Sequence, residues 1–277
     1  MFSTRFSTFR DFTSDWYQEW RQELKLPQTV HRKWWELAIV AETLRSHGML
    51  GSTRKGIGFG CGSERITTQI ADFGPTILAT DLLKPEWAQT HQDFANLASH
   101  PGVTTRVVDM NWLDGASGVG AVELEHYDFA WSVCSMDHCG STWLTKRFLL
   151  NQLNCLKPDG VGIHTAEYTI SLGLPKSGAT VWLDWADLVD TAQLIGQLGH
   201  ELAPIDWNIG DAIEDHKIDP WPHGTTPHLK PEVHAGRWGT CVAFAVKKKS
   251  NGVFWVPQEE DLARDMIGRH QRSHSQT

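Results

Sequence analysis

Short apolar runs that end in glycine or aspartate alternate with amphipathic segments along most of this chain. Apolar side chains recur at helical spacing in the amphipathic segments, whereas the short runs are typical of buried strands. Alternating strands and helices predict an α/β fold with a mostly parallel sheet and helices on both faces. The predicted strands are 55–60, 76–80, 104–108, 127–133, 161–165 and 239–247, and the predicted helices are 31–47, 63–73, 85–99, 142–156 and 182–198.

Two segments do not follow this alternation. Residues 1–54 precede the first predicted sheet strand, and we expect them to form an N-terminal helical cap that includes the helix 31–47. Residues 206–236 are rich in His, Pro, Asp and Gly, and a connection of this length is more often functional than neutral. We expect a lid-like insertion there, before the last strand of a central domain at 55–249, and a C-terminal tail at 250–277.

Composition excludes several classes of function. The chain has 277 residues and a formal net charge of −8, which argues against a nucleic-acid partner. No apolar run approaches the roughly 18 residues that cross a bilayer, so we expect no membrane partner. Five cysteines without CxxC spacing argue against a disulfide framework or a zinc knuckle and favour a cytoplasmic location. A targeting role for the basic first ten residues is the alternative, and a homodimer stays open.

Glycines and aspartates follow the first three predicted strands. Gly60 and Gly62 let the backbone turn tightly from strand to helix, where a ligand can approach exposed N–H groups. Asp81 ends the next strand, where a carboxylate can accept hydrogen bonds from both hydroxyls of a ribose. Asp109 ends the third strand, where it can accept from the amino group of an adenine. Helix capping or turn formation is the alternative for both aspartates.

Five motifs, in this order and spacing, resemble those of the class I S-adenosylmethionine-dependent methyltransferases: IGFGCGSE, ATDL, VVDM, YDFAWSVCSMDH and LKPDG. The resemblance spans residues 55–170 and implies a Rossmann-like, doubly wound sheet of seven strands. It also implies that S-adenosyl-L-methionine is the cofactor. The cofactor-binding residues that it implies are Gly60, Cys61, Gly62, Glu64, Asp81, Leu82, Asp109, Met110 and Ser132.

Three positions depart from the family pattern. Gly58 stands where an acid usually precedes the glycines, Glu64 replaces the third glycine, and Asp159 replaces one glycine of the turn. Two interpretations of Glu64 have equal weight. It contacts the amino group of the methionine moiety, or it is an acid in the first helical turn that interacts favourably with the helix dipole. A dinucleotide-binding loop would need a glycine at position 63 or 65, where the chain has Ser63 and Arg65.

The resemblance directs the search for catalytic residues to the ends of the fourth and fifth strands. A methyl acceptor must be positioned beside the sulfonium, and a hydroxyl acceptor also benefits from a general base. His138 is the first candidate for that base and Glu167 is the second, and a structural role is the alternative for His138. We expect O-methylation, because a histidine base would then have a purpose. The HRKWWE segment, followed by GFGCGSE and the late HLK…GTCVAFAVKK, resembles bacterial methyltransferases found with glycan or secondary-metabolite genes, which implies a small molecule or a sugar as the acceptor. A non-catalytic cofactor-binding protein and a nicotinamide-dependent oxidoreductase are the alternatives.

Three further residues are candidates for substrate binding. Trp34 lies in a basic, aromatic helix, and His223 and His228 lie in the insertion. Packing against the sheet is the alternative for Trp34. The histidines and carboxylates of the insertion are ligand types that suit zinc or another divalent ion, but they form no HxxxH or HxH pair. We therefore expect no resident metal and favour a substrate-gripping loop.

Overall fold

A computed structural model describes residues 3–171, 173–234 and 236–274 of the chain. Within them, no helix is long and apolar enough to cross a membrane. The strands are β1 (Thr4–Phe6), β2 (Lys55–Phe59), β3 (Thr76–Asp81), β4 (Val103–Val107), β5 (Tyr127–Ser132), β6 (Leu156–Thr169), β7 (Glu201–Leu202), β8 (Ile205–Asp206), β9 (Ile218–Asp219), β10 (Lys230–His234) and β11 (Arg237–Lys247). The helices are α1 (Phe9–Phe12), α2 (Asp15–Glu23), α3 (Arg32–Ser46), α4 (Ile66–Asp72), α5 (His91–Asn96), α6 (Thr142–Asn151), α7 (Trp185–Gln197) and α8 (Glu260–His274).

Five parallel strands form the centre of the sheet, in the order β4, β3, β2, β5 and β6. The chain order reverses between β2 and β5, which is the switch point where doubly wound sheets bind ligands. β11 adds antiparallel to β6, in a register that runs from Gly239 opposite Thr169 to Lys247 opposite Val161. The predicted α/β fold with a mostly parallel sheet is confirmed, and short edge strands raise the strand number above seven.

Alternate residues of the strands face two separate cores. Along β11, Cys241 and Ala243 face the core that includes residues of α3 and α4, whereas Val242 and Phe244 face the core that includes residues of α6 and α7. Successive side chains of a strand point to opposite faces, so both faces of β11 are buried. This explains why the strand appears in the sequence as an unbroken apolar run.

β6 is longer than the sequence predicts. The segment 157–160, predicted as a turn, lies within β6 and carries Asp159 at a φ of 64°. The strand also continues past its predicted end at residue 165, because β11 pairs with it as far as Thr169. Glu167, expected after the fifth strand, is therefore inside it.

The N-terminal cap and the insertion both contain strands that the sequence does not predict. β1 pairs antiparallel with β11 and parallel with β8, and three residues are too few to show an alternating pattern. Within the insertion, β9 pairs with β10 and β10 pairs with β11. Residues 1–2 of the predicted cap and 275–277 of the predicted tail lie outside the described residues.

Candidate functional site

A cavity of about 340 Å³, here called the strand-edge cavity, opens at the carboxyl ends of β2, β3 and β5. It lies at the switch point of the sheet. Its wall combines the loops after these strands, the segment after β4 and one residue of α3. The lining residues are Lys33, Gly60, Cys61, Gly62, Ser63, Glu64, Asp81, Leu82, Lys84, Thr90, Asp109, Met110, Asn111, Val133, Cys134, Ser135, His138 and Cys139.

The glycine loop after β2 lies close to the loop after β5. Gly60 has a φ of +62°, and a Cβ atom there would lie 2.4 Å from the Cβ of Ser135, so only glycine fits. A Cβ atom at Gly58 would lie 2.5 Å from the ring of Trp131. The indole therefore fills the space in which the family pattern has an acid, which gives a steric reason for that departure.

Asp81 holds the glycine loop against the end of β3. Its Oδ2 accepts a hydrogen bond from the backbone N–H of Gly62 at 2.9 Å, and its Oδ1 accepts one from the backbone N–H of Leu83 at 2.9 Å. A carboxylate has about four acceptor positions, so these two bonds leave room for two more donors. The same carboxylate can thus fix the loop and bind a diol.

Asp109 and its neighbours form the part of the wall that follows β4. Its Oδ1 accepts a hydrogen bond from the backbone N–H of Asn111 at 2.8 Å. The side-chain amide of Asn111 donates to the carbonyl of Cys139 at 3.1 Å, which joins this segment to the loop after β5. Met110 lies between the two residues in the chain and lines the cavity.

Glu64 lies in the wall with an elevated pKa. Burial raises the pKa of its carboxyl group to about 8, Lys33 opposes the shift, and Glu36 and Asp81 add to it. The group is therefore mostly protonated at neutral pH until a cation reaches it. A cationic ligand in the strand-edge cavity would remove that proton.

Beside the cavity, residues of α3, β6 and the 3₁₀ turn Met136–His138 form a charge cluster, here called the buried charge cluster. Its members are Arg32, Lys33, Glu36, Asp137 and Glu167, and all but the half-exposed Lys33 are largely buried. Arg32 Nη1 lies 2.6 Å from Oε1 of Glu167 and 3.6 Å from Oε1 of Glu36. Lys33 Nζ lies 3.8 Å from Oε2 of Glu36 and is the member of the cluster that lines the cavity. The cluster thus connects the start of α3 to the middle of the sheet.

The acids of the buried charge cluster differ in charge state. Burial would raise the pKa of Glu36, but Lys33 and Arg32 outweigh it and lower the pKa. For Glu167, burial outweighs the attraction of Arg32 and raises the pKa to about 7, and Asp137 adds to the shift. Burial also raises the pKa of Asp137. Glu36 is therefore the constant negative charge of the cluster, and Glu167 titrates near neutrality.

His138 lines the strand-edge cavity from a short 3₁₀ turn, Met136–His138, after β5. Its Nδ1 lies 2.7 Å from the carbonyl oxygen of Ala179, so Nδ1 donates there and the proton of a neutral ring is on that nitrogen. Nε2 then carries the lone pair, 3.7 Å from Oδ2 of Asp137. The imidazole side chain is 30 % exposed, so the ring combines access to the cavity with an acceptor nitrogen.

Of the residues predicted to bind the cofactor or to be catalytic, two do not line the strand-edge cavity. Ser132 is fully buried at the end of β5, and its hydroxyl lies 2.9 Å from Nδ1 of His164. Burial lowers the pKa of His164 to about 3, so that ring is neutral. Glu167 is buried against Arg32. The structure brings the other eight predicted cofactor residues together with His138.

Trp34 lines a second cavity of about 510 Å³, here called the adjoining cavity. The two cavities share Lys33, Glu64 and Val133, so they are neighbours. The indole N–H of Trp34 donates to the hydroxyl of Thr29 at 3.1 Å, which fixes the ring in the wall. The remaining lining residues of the adjoining cavity are Leu24, Lys25, Leu26, Pro27, His31, Leu37, Arg65 and Gln69.

His223 and His228 lie together in the loop between β9 and β10, beside Asp219. The ring of His228 stacks on that of His31 at 4.3 Å, and His31 lines the adjoining cavity. His228 is therefore next to a residue of the adjoining cavity, and neither His223 nor His228 lines either cavity.

Sequence reasoning missed several wall residues. Ser63, Asn111 and Ser135 lie within or beside the recognised motifs, so a wider window would have found them. Lys33 belongs to a segment of the chain far from the motifs, and its only signal was the basic, aromatic character of its helix. Cys134 lies within the fourth-strand motif and Cys139 directly follows it, whereas Lys84 and Thr90 gave no signal of their own.

Neither a family model nor a curated protein sequence matches this chain. Among solved structures, it is similar to a "putative sarcosine dimethylglycine methyltransferase" from Galdieria sulphuraria, with a TM-score of 0.54 and 15% identity over 85% of this chain and 99% of that chain. It is also similar to magnesium protoporphyrin IX methyltransferase from Synechocystis PCC 6803 with bound SAH, with a TM-score of 0.48 and 14% identity over 87% and 97% of the two chains. The first of these likenesses confirms the fold: the chain has the Rossmann-like fold of the class I S-adenosylmethionine-dependent methyltransferases.

We predict that Arg32→Met lowers the free energy of unfolding by about 3–5 kcal/mol, because it leaves Glu36 and Glu167 buried without their guanidinium partner. Urea denaturation at neutral pH measures the change. Arg45→Met is the matched control, because Arg45 pairs with Glu19 and Glu42 at the surface, where such pairs contribute about 0–1 kcal/mol. Equal losses in the two variants would contradict a special role for the buried cluster.

Proposed function

We propose that this protein is an S-adenosylmethionine-dependent methyltransferase that acts on a small molecule or a sugar. One observation carries the proposal. The glycine loop, Asp81 and Asp109 come from three successive strand ends and converge on one cavity at the switch point of the sheet. This is the arrangement that a nucleoside ligand requires, with a close backbone approach, an acceptor for a diol and an acceptor for an exocyclic amine.

The residues of the strand-edge cavity divide among the parts of the cofactor. Asp81 accepts from the two ribose hydroxyls, and Asp109 accepts from the adenine amino group. Leu82 and Met110 supply apolar contacts to the nucleoside. Glu64 pairs with the α-ammonium of the methionine moiety, because it is the wall carboxyl whose elevated pKa a cation would lower.

The acceptor occupies the adjoining cavity. The adjoining cavity shares Lys33, Glu64 and Val133 with the strand-edge cavity. An acceptor bound in the adjoining cavity is therefore next to the cofactor site. Trp34 offers an apolar ring face, and His31 and Lys33 offer polar groups. Flat faces beside hydrogen-bonding groups suit a sugar or an aromatic hydroxyl compound.

S-adenosylmethionine supplies an electrophilic methyl group, so the protein has to orient the acceptor and exclude water. His138 takes the proton of an acceptor hydroxyl through Nε2, while Ala179 holds the ring through Nδ1. Glu167 lies behind the wall on Arg32. We therefore assign it a positioning role and leave the base to His138, which makes oxygen the acceptor atom.

Two further expectations concern the class of partner and the cellular location. The net charge of −8 supports a small-molecule rather than a nucleic-acid partner. The five cysteines are buried and unpaired, which supports a reducing, cytoplasmic location.

We predict that S-adenosylhomocysteine binds and that Asp81→Ala weakens it by about 10- to 150-fold, the equivalent of a lost hydrogen bond to a charged group of roughly 1.5–3 kcal/mol. Isothermal titration calorimetry with S-adenosylhomocysteine, and with NAD for comparison, makes the measurement. Asp72→Ala is the control, because that carboxylate is 70 % exposed on α4 and outside the cavity wall. Tighter binding of NAD, or equal affinity in the two variants, would reject the proposal.

We predict that the affinity for S-adenosylhomocysteine rises with pH between 6 and 7.5, by up to about tenfold per pH unit. The unliganded Glu64 carboxyl has a pKa of about 8 and must lose its proton to pair with the ligand ammonium. Calorimetry across this range should give a flat profile for Glu64→Gln. A wild-type profile that is equally flat would move the ammonium contact elsewhere.

We predict that His138→Ala lowers turnover by about 10²–10⁴-fold and leaves the affinity for S-adenosylhomocysteine unchanged. Turnover is followed as S-adenosylhomocysteine release with a panel of hydroxylated acceptors. Full turnover in the variant would show that positioning alone carries the reaction. A parallel loss of cofactor affinity would show that His138 shapes the pocket instead.

A further inference from the structure

A compact group of metal-ligand side chains lies in the insertion, outside both cavities. Asp219 ends β9, and His223 and His228 follow in the loop that leads to β10. One possible ligand atom from each of the three lies within 4.8 Å of the other two. The residues are four and five positions apart in sequence, so the convergence comes from the fold of the loop and not from a helical or strand spacing.

The two oxygens of Asp219 have different partners. Oδ1 accepts from the backbone N–H groups of Gly224 and Thr225 at 3.2 and 3.0 Å and from the Thr225 hydroxyl at 2.7 Å. Oδ2 faces Nδ1 of His228 at 2.5 Å and Nδ1 of His223 at 3.9 Å. One oxygen is therefore anchored by the loop, and the other faces two imidazole nitrogens.

The backbone fixes the position of His228. Its N–H donates to the carbonyl of Val30 at 2.9 Å, and its carbonyl accepts from the N–H of Arg32 at 3.1 Å. Its ring stacks on the ring of His31 at 4.3 Å. The loop is thus attached to the start of α3 before any ligand arrives, which reduces the ordering that binding requires.

We propose that Asp219, His223 and His228 form a binding site for a divalent cation of the zinc class. Two imidazole nitrogens and one carboxylate oxygen are a ligand set that zinc prefers, and three protein ligands leave a coordination position for water or another donor. The hydrogen bonds on Oδ1 are the outer contacts that orient a ligating carboxylate. The site does not depend on the proposed methyltransferase function.

The observed distances need only small side-chain movements to suit the ion. Bonds of about 2.0–2.1 Å in a tetrahedral site place the ligand atoms roughly 3.3 Å apart. That value lies between the two Oδ2–Nδ1 distances of 2.5 and 3.9 Å. Without the ion, Nδ1 of His228 donates to Oδ2 of Asp219, and Nδ1 of His223 donates to the carbonyl oxygen of Asp219 at 3.2 Å. On binding, each of these protons moves to Nε2, which leaves the Nδ1 lone pairs for the ion.

The test measures zinc binding to the whole chain, purified without a polyhistidine tag and freed of metal with EDTA. Competition with a chromophoric chelator should give one bound zinc per chain. His223→Ala and His228→Ala should each weaken binding by at least roughly tenfold, because even the loss of an outer partner costs about 10–100-fold. His223 is 29 % exposed, so its replacement leaves the fold intact. The visible absorption of bound Co²⁺ should indicate four-coordinate geometry in the wild type.

His216→Ala and His234→Ala are the matched controls, because both histidines are exposed, lie in the same insertion and are outside the group of three. The five cysteines are buried and should not compete for the metal. Circular dichroism in EDTA checks that all four variants are folded. The proposal is overturned if the wild type binds no zinc in this competition, or if the control variants weaken binding as much as His223→Ala does.

Discussion

The ion pair between Arg32 and Glu167 is the contact on which the arrangement of the site depends. The side chains of Arg32 and Glu167 are only 11 % and 7 % exposed, and they join the first turn of α3 to β6. The same turn carries His31, Lys33 and Trp34, which line the adjoining cavity, and Lys33 also lines the strand-edge cavity. A buried ion pair stabilises little by itself, but breaking one leaves an uncompensated charge in the interior. The pair therefore fixes where the N-terminal helices lie over the sheet.

The part of the site that was predictable from the sequence is the part set by local geometry. Gly60, Asp81 and Asp109 each follow a strand, and the carboxyl ends of parallel strands meet at one edge, so their convergence follows from the topology. Ser132 shows the limit of this reasoning, because the side chain at a strand end points to one face or the other, and here it faces His164. Lys33 lies on a helix far from the motifs, and its place in the wall depends on tertiary packing.

The same division applies to the fold. Most of the central parallel strands were predictable because they are short apolar runs, and the helices between them because their apolar positions recur at helical spacing. The edge strand β4 is mostly polar, and only 91–96 of the predicted helix 85–99 is α-helical, between two 3₁₀ turns. The extension of β6 and the short strand β1 were not predictable, because both depend on pairing with strands that are distant in the sequence, β6 with β11 and β1 with β11 and β8. Gly58 belongs to a sequence motif but is explained by a tertiary contact. The ring of Trp131, which is distant in the sequence, occupies the space that a side chain at position 58 would need.

The pairing of β1 with β11 has a consequence for the order in which the chain folds. Arg5 lies opposite Ala243, and Phe6 lies opposite Val242. β1 can therefore pair with β11 only after β11 has been synthesised. Contacts between such distant residues form slowly, since a long loop must close first. The helices that follow β1 carry the wall residues Lys33 and Trp34. The position of these wall residues is therefore linked, through β1, to a strand that is distant in the sequence.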